Sequence, residues 1–316
     1  MSELMKAAKV AVEQCLNIKK EERVLFVIDT PQKEIGNALV EASRGTGAET
    51  MLIEMSPRDN HGQEPPSAVA AAMLEADIVI MPTTKSLSHT NARRNANKAG
   101  ARIASMPLIT VDLMTRTLGG DYSKMAEKCI TYASLLKDAK EVRITSPNGT
   151  DLTMTLVGRE IHVDNGIIHK SGDIGNLPAG EVYAAPLEGT TKGTLVIDGS
   201  MAGIGLLNEP LRMKVENGYV KKIEGKDATE LKNILDKNGQ DAYNIGELGL
   251  GMNERATVTG NVLEDEKILG TVHIALGDNT SMGGIVAVPS HLDGVILSPT
   301  VIVDGRTILA NGKLLF

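Results

Sequence analysis

The chain has very few aromatic residues: its 316 residues include no tryptophan, two phenylalanines and five tyrosines. The core must therefore be aliphatic. Proteins that bind single-stranded nucleic acid stack bases on aromatic side chains, and this scarcity argues against such a platform. The formal net charge of −7 points the same way, because an acidic surface repels phosphate backbones and anionic lipid. We therefore expect neither a nucleic-acid partner nor a membrane partner.

Cysteines and long apolar runs are also scarce. The two cysteines, Cys15 and Cys129, lie in separate helical-looking segments and do not make the disulfide framework of a secreted protein. The amphipathic N-terminus lacks the uninterrupted apolar segment of a signal peptide. No apolar run reaches the length that spans a membrane. We therefore expect a cytoplasmic protein with two buried free thiols.

The sequence pattern changes partway along the chain, and a chain of this length is typical of two domains. In residues 1–139, apolar strand-like runs alternate with helical segments, which predicts a doubly wound parallel sheet. In residues 140–316, short strands with glycine-rich turns predominate. We therefore expect an α/β protein whose second domain is a strand-rich α+β domain that carries a metal site.

Residues that bind metals are concentrated in the last quarter of the chain. His291 and Asp293 are two residues apart in an extended stretch, so their side chains point to the same face. An imidazole and a carboxylate placed in this way can chelate a divalent cation. His273 and Glu247 lie in two further apolar stretches, and burying such groups costs on the order of several kcal/mol unless they are paired or bound to metal. The alternative is a set of hydrogen-bonded core residues without a metal.

A second candidate position is His89, which follows the third predicted strand. Ligand sites in doubly wound sheets lie at the carboxyl ends of strands, so His89 is a possible cleft residue together with Arg93 and Arg94. The alternative is a polar helix start with solvated arginines.

Four segments resemble a known family, the M29-type metallopeptidases, which include aminopeptidase T, aminopeptidase S and leucyl aminopeptidase-like proteins. The segments are NLPAGE (176–181), GELGLGMN (246–253), EDEKILGTVHIALG (264–277) and HLD (291–293). In that family two Glu, two His and one Asp hold a pair of divalent metals. The resemblance assigns these roles by motif to Glu181, Glu247, His273, His291 and Asp293; for Glu181 it is the only argument.

The resemblance implies a hydrolase that releases N-terminal amino acids from peptides through a metal-activated water, with two zinc or cobalt ions. The general base is not assigned. This aminopeptidase activity is our leading expectation, with a small molecule or a peptide as substrate. We also expect the protein to form a homo-oligomer, namely a dimer.

Two alternatives stay open, because the family's catalytic tyrosine, expected shortly after His273, is absent from residues 277–280. A shorter member of the same superfamily is 2,5-dihydroxypyridine 5,6-dioxygenase, which opens a ring with one iron(II) held by two His and one Asp. Its His-x-Asp motif matches His291 and Asp293, its first histidine falls where this chain has Glu247, and it is apolar at the other two positions. The first alternative is therefore an iron(II) ring-cleaving dioxygenase acting on a dihydroxylated aromatic. The second is a catalytically silent metal-binding homologue.

Overall fold

The computed structural model describes residues 1–316 and contains helices, strands and short irregular turns. The helices are α1 (Glu3–Lys9), α2 (Lys33–Arg44), α3 (Ser67–Leu74), α4 (Asn91–Lys98), α5 (Val111–Thr117), α6 (Tyr122–Leu136), α7 (Ala228–Asp236) and α8 (Val262–Asp265). A π-helical segment at Val10–Cys15 and 3-10 turns at Thr30–Gln32, Gln240–Tyr243 and Thr280–Met282 add to them. None of these helices is both long enough and apolar enough to cross a bilayer.

The strands form three sheets. In chain order they are β1 (Arg23–Asp29), β2 (Glu49–Met55), β3 (Ile78–Thr83), β4 (Arg102–Pro107), β5 (Val142–Thr145), β6 (Asp151–Met154), β7 (His162–Asp164), β8 (Ile174–Asn176), β9 (Glu181–Ala184), β10 (Lys192–Ile197), β11 (Ser200–Met201), β12 (Gly205–Leu206), β13 (Leu211–Glu216), β14 (Tyr219–Glu224), β15 (Ile245–Gly251), β16 (Val272–Gly277), β17 (His291–Ile296), β18 (Thr300–Val303), β19 (Arg306–Ala310) and β20 (Lys313–Leu314).

The first compact unit, Met1–Ala126 with Asp164–Ala179, contains a parallel sheet. Its strand order is β2-β1-β3-β4-β8, and each neighbouring pair is parallel. All of β3 is buried, which is typical of a parallel strand covered on both faces. Its core is aliphatic and includes Leu25, Val27, Val79 and Ile103. The predicted doubly wound α/β architecture is confirmed.

The second compact unit, Glu127–Val163 with Gly180–Phe316, is rich in antiparallel strands. An eight-stranded sheet has the order β14-β13-β10-β6-β5-β18-β19-β20, and a seven-stranded sheet has the order β12-β11-β17-β16-β15-β9-β7. The three central strands of the seven-stranded sheet, β15, β16 and β17, pair antiparallel with one another, with one register shift between Ile245 and Glu247 of β15. The predicted strand-rich second part of the chain is confirmed, and this sheet carries the candidate metal centre.

The compact units are not contiguous in sequence. The predicted division placed residues 1–139 in one domain and 140–316 in the other, whereas residues 164–179 belong to the first unit. There β8 pairs in parallel with β4 as the fifth strand of the sheet. The strand is only three residues long and reads Ile-Gly-Asn, so it lacks the apolar run from which a strand could be predicted.

Candidate metal centre

Five potential ligands lie on four adjacent strands of the seven-stranded sheet. They are Glu181 on β9, Glu247 on β15, His273 on β16, and His291 and Asp293 on β17. In the antiparallel register Gly251 lies opposite Glu181, Gly249 opposite His273, and Ala275 opposite Asp293. Because side chains alternate along a strand and directly paired residues share a face, all five project from one face of the sheet.

The donor atoms form two groups that share one carboxylate. The Nε2 atom of His273 lies 3.1 Å from Oε1 of Glu247 and 3.3 Å from Oε2 of Glu181. The Nε2 atom of His291 lies 3.1 Å from Oε2 of Glu247 and 3.5 Å from Oδ1 of Asp293. Within each group the ligand atoms lie within 4.8 Å of one another. Glu247 therefore offers one oxygen to each imidazole.

The two imidazoles are held differently. The Nδ1 atom of His291 donates to the carbonyl oxygen of Asp278 at 2.8 Å, which leaves Nε2 directed at the carboxylates. A hydrogen bond on the outer ring nitrogen is the usual way in which proteins orient a metal-binding histidine. The ring of His273 is fully buried, and its Nδ1 atom has no hydrogen-bond partner. The side chain of His291 is 34% exposed, so the group around it faces solvent more than the group around His273 does.

A glycine makes room for the buried imidazole. A Cβ atom on Gly249 would lie 1.9 Å from Nε2 of His273 and 2.1 Å from Cε1, far inside van der Waals contact. The ring of His273 therefore occupies the space that a side chain at position 249 would fill. The sequence shows a glycine-rich stretch here, but only the register across the sheet explains why residue 249 must be small.

Two further charged residues, which are not among the predicted metal ligands, are buried beside Glu181. The Nζ atom of Lys267 lies 3.1 Å from Oε1 of Glu181, and Lys267 also forms an ion pair with Glu266. Burial raises the pKa of Glu266 to about 8; Lys267 opposes this shift, and the charges of Glu181 and Asp293 add to it. The run Glu264-Asp265-Glu266 looks in sequence like a short solvated acidic stretch, so nothing in the pattern distinguishes it from a surface loop.

The carboxylates dominate the electrostatics of the cluster. Burial lowers the pKa of His273, but the hydrogen bond to Glu247 and the charge of Glu181 outweigh it and raise the pKa to about 9. Burial also disfavours the charged form of His291, yet Asp293 and Glu247 raise its pKa well above the usual value. Burial disfavours the anion of Glu247, and the two imidazoles nevertheless hold its pKa below the ordinary range. Without a metal, protons on the imidazoles balance the carboxylates, and a divalent cation bound by His291 would displace the proton from its Nε2.

Comparison with known proteins decides the family. A family model described as 2,5-dihydroxypyridine 5,6-dioxygenase matches residues 3–316. The chain belongs to the 2,5-dihydroxypyridine 5,6-dioxygenase family. Within it, the enzyme of that name from Pseudomonas putida KT2440 is 24% identical over 305 residues, which cover 87% of this chain and 85% of the relative.

Two solved structures share the fold of this dioxygenase-family chain. The 2,5-dihydroxypyridine dioxygenase of Pseudomonas putida KT2440 aligns with a TM-score of 0.84 and 21% identity, covering 100% of this chain and 98% of that one. The aminopeptidase AmpT of Thermus thermophilus aligns with a TM-score of 0.71 and 16% identity, covering 99% of each chain. The predicted relationship to M29 enzymes therefore holds for the fold.

The expectation of a hydrolase, an aminopeptidase, is wrong. The family model and the matching relative both name a dioxygenase, and the likeness to AmpT is one of fold alone. The physical reason for the error is that the same residue types serve both chemistries. Carboxylates and imidazoles on a shared sheet face bind divalent metals whether the bound metal then activates water or dioxygen.

The residues of this dioxygenase-family chain fit a divalent metal. Glu247, His291 and Asp293 present an imidazole nitrogen and carboxylate oxygens within 4.8 Å of one another, and the imidazole is already oriented by Asp278. Mixed nitrogen and oxygen donors suit several divalent transition metals, so the donor set supports a metal centre without identifying the ion. His89 lies in the first unit, exposed in the turn before α4, and its assignment as a cleft residue stays a prediction.

Proposed function

We propose that this chain is a metal-dependent dioxygenase that opens the ring of a dihydroxylated aromatic, and that 2,5-dihydroxypyridine is the first substrate to test. The observation that carries the proposal is the group of Glu247, His291 and Asp293, in a chain that matches the dioxygenase family from residue 3 to residue 316. The proposed metal is a single iron(II) ion bound by these three residues.

The proposed ligand set differs from the familiar one of two histidines and one carboxylate, which holds iron(II) in many non-haem oxygenases. Here Glu247 supplies a second carboxylate beside Asp293, and His291 supplies the imidazole. Two carboxylates lower the net charge of the bound centre and favour a hard divalent ion. Iron(II) and manganese(II) both accept such donors.

Bound iron(II) would supply electron transfer with dioxygen. An aromatic ring in its ground state does not react with dioxygen by itself. The chain's own residues prepare the site for the metal. Asp278 fixes the ring of His291 through Nδ1. Nε2 of His273 lies 3.1 Å from Oε1 of Glu247, so the buried imidazole holds the carboxylate whose other oxygen faces His291. The more exposed side, at His291, is where a small aromatic substrate can approach.

Oxygen uptake tests this proposal. Protein reconstituted anaerobically with iron(II) should consume dioxygen when 2,5-dihydroxypyridine is added, with loss of the aromatic absorbance of the substrate. The His291→Ala variant should show no uptake, while His61→Ala, a matched change at an exposed histidine of the first unit, should behave as the wild type. Iron-loaded wild-type protein that takes up no oxygen with any dihydroxylated aromatic would contradict the proposal.

A further inference from the structure

Lys267 places a cationic side chain inside the cluster of ligands. Its side chain is 1% exposed, and its Nζ atom lies 3.1 Å from Oε1 of Glu181. A second ion pair joins it to Glu266, whose side chain is 10% exposed. Charged lysines are seldom buried unless they are paired, and here two carboxylates supply the pairing.

The backbone around Lys267 is built for this position. Gly251 lies opposite Glu181 in the sheet, and a Cβ atom on Gly251 would lie 2.0 Å from the carbonyl oxygen of Ile268. The absence of a side chain at position 251 therefore lets the segment that contains Lys267 lie directly against the end of β15. The carbonyl oxygen of Lys267 accepts a hydrogen bond from the amide of Asn253 at 2.8 Å, which fixes this segment in place.

Lys267 is paired with one of the two carboxylate oxygens of Glu181. One oxygen of Glu181 pairs with the ammonium group, and the other lies 3.3 Å from Nε2 of His273. A divalent ion bound by Glu181, Glu247 and His273 would share the Glu181 carboxylate with a positive charge, and the two cations would repel each other at short range. The group of Glu247, His291 and Asp293 can bind its ion without Glu181.

We propose that Lys267 takes the place of a second metal ion. The centre binds one divalent cation, at Glu247, His291 and Asp293, while the ammonium group of Lys267 neutralises Glu181. The inference rests on the metal centre of the proposed function and not on its oxygen chemistry.

The test is metal stoichiometry with Mn²⁺ as the probe. Wild-type protein equilibrated with excess Mn²⁺ and then freed of unbound ion should retain one equivalent by elemental analysis. The Lys267→Met variant should retain two and should show the exchange-coupled electron paramagnetic resonance signal of a manganese pair. Lys214→Met, which removes an exposed lysine paired with Glu216 on the surface, should retain one.

The other outcomes bear differently on the two proposals. Two equivalents in the wild type would overturn both the role of Lys267 and the single-ion stoichiometry, whereas one equivalent in a folded Lys267→Met variant would overturn only the role of Lys267. In either case oxygen uptake tests the oxygenase chemistry separately. No tightly bound ion in the wild type would remove the proposed metal centre and this inference together.

A second measurement covers the case in which Lys267→Met does not fold. Anomalous diffraction from wild-type crystals soaked in Mn²⁺ should show one peak, beside His291 and Asp293. A second peak between Glu181 and His273, with Lys267 displaced, would overturn the inference.

Discussion

Replacing Gly249 by alanine should expel the imidazole of His273 from the cluster. The new Cβ atom would lie 1.9 Å from Nε2, whereas carbon and nitrogen atoms normally approach to about 3.5 Å, so the ring must move by roughly 1.5 Å or the strands must separate. Overpacking of this kind costs about 1–3 kcal/mol. Alanine has less conformational freedom than glycine in the unfolded chain, and this difference offsets about 0.4–1 kcal/mol of the lost stability. We therefore expect a net loss of about 1–2 kcal/mol in the free energy of unfolding.

A double-mutant cycle with His273→Ala isolates this clash. Without the imidazole, the space over residue 249 is free, so Gly249→Ala should be neutral or slightly stabilising in the His273→Ala background. The coupling energy between the two sites should then be about 1–3 kcal/mol, within the range of residues in direct contact. Urea denaturation of the metal-free wild type, the two single variants and the double variant gives the four free energies of unfolding that the cycle needs. The same destabilisation by Gly249→Ala in both backgrounds would refute the steric argument.

Three further predictions concern the metal centre. His291→Ala and Asp293→Ala should each abolish tight metal binding with little change in circular dichroism, and unchanged metal content in both variants would exclude them as ligands. Glu247→His, which recreates two histidines and one carboxylate, should keep one iron per chain, whereas Glu247→Ala should lose it; equal retention in both would show that residue 247 is not a ligand. The pKa of His273 is about 9 in the folded protein and about 6.5 in the unfolded chain, so its stabilising effect is complete below pH 6.5 and is lost as the pH rises through 9. Scanning calorimetry of the metal-free protein should therefore show a Tm that falls between about pH 7 and 9.5, and a fall of equal size in His273→Ala would contradict this assignment.

Much of the fold could be predicted from local patterns. The alternation of apolar runs and helices in the first part of the chain and the short strands of the second part both follow from side-chain periodicity, which depends only on neighbours in sequence. The return of residues 164–179 to the first unit could not be predicted, because β8 pairs with a strand about seventy residues earlier and has no pattern of its own.

Part of the candidate site could also be predicted from local sequence patterns. His291 and Asp293 share a strand face by their spacing, so two donors are visible in the sequence. The approach of Glu247 to His273 depends on the register of β15 and β16, and the burial of Lys267 depends on the missing side chain at Gly251. Both are properties of the assembled sheet.

The chemistry of the site was the least predictable part. The ligand types resemble those of a metallopeptidase, and the sequence signals against hydrolysis were the missing tyrosine in residues 277–280 and a chain length closer to that of the dioxygenase. The family match from residue 3 to residue 316 places the chain in the dioxygenase family and supports the proposed oxygen chemistry. A dimer and a cytoplasmic location stay predictions.

The most direct test of the central claim is the fate of isotopically labelled dioxygen. Iron(II)-loaded protein incubated with 2,5-dihydroxypyridine under labelled dioxygen should give a ring-opened product that carries the label by mass spectrometry, and metal-free protein should give none. A product that takes its new oxygen only from labelled water, or an unchanged substrate in the presence of bound iron, would contradict the assignment of this chain as a ring-opening dioxygenase.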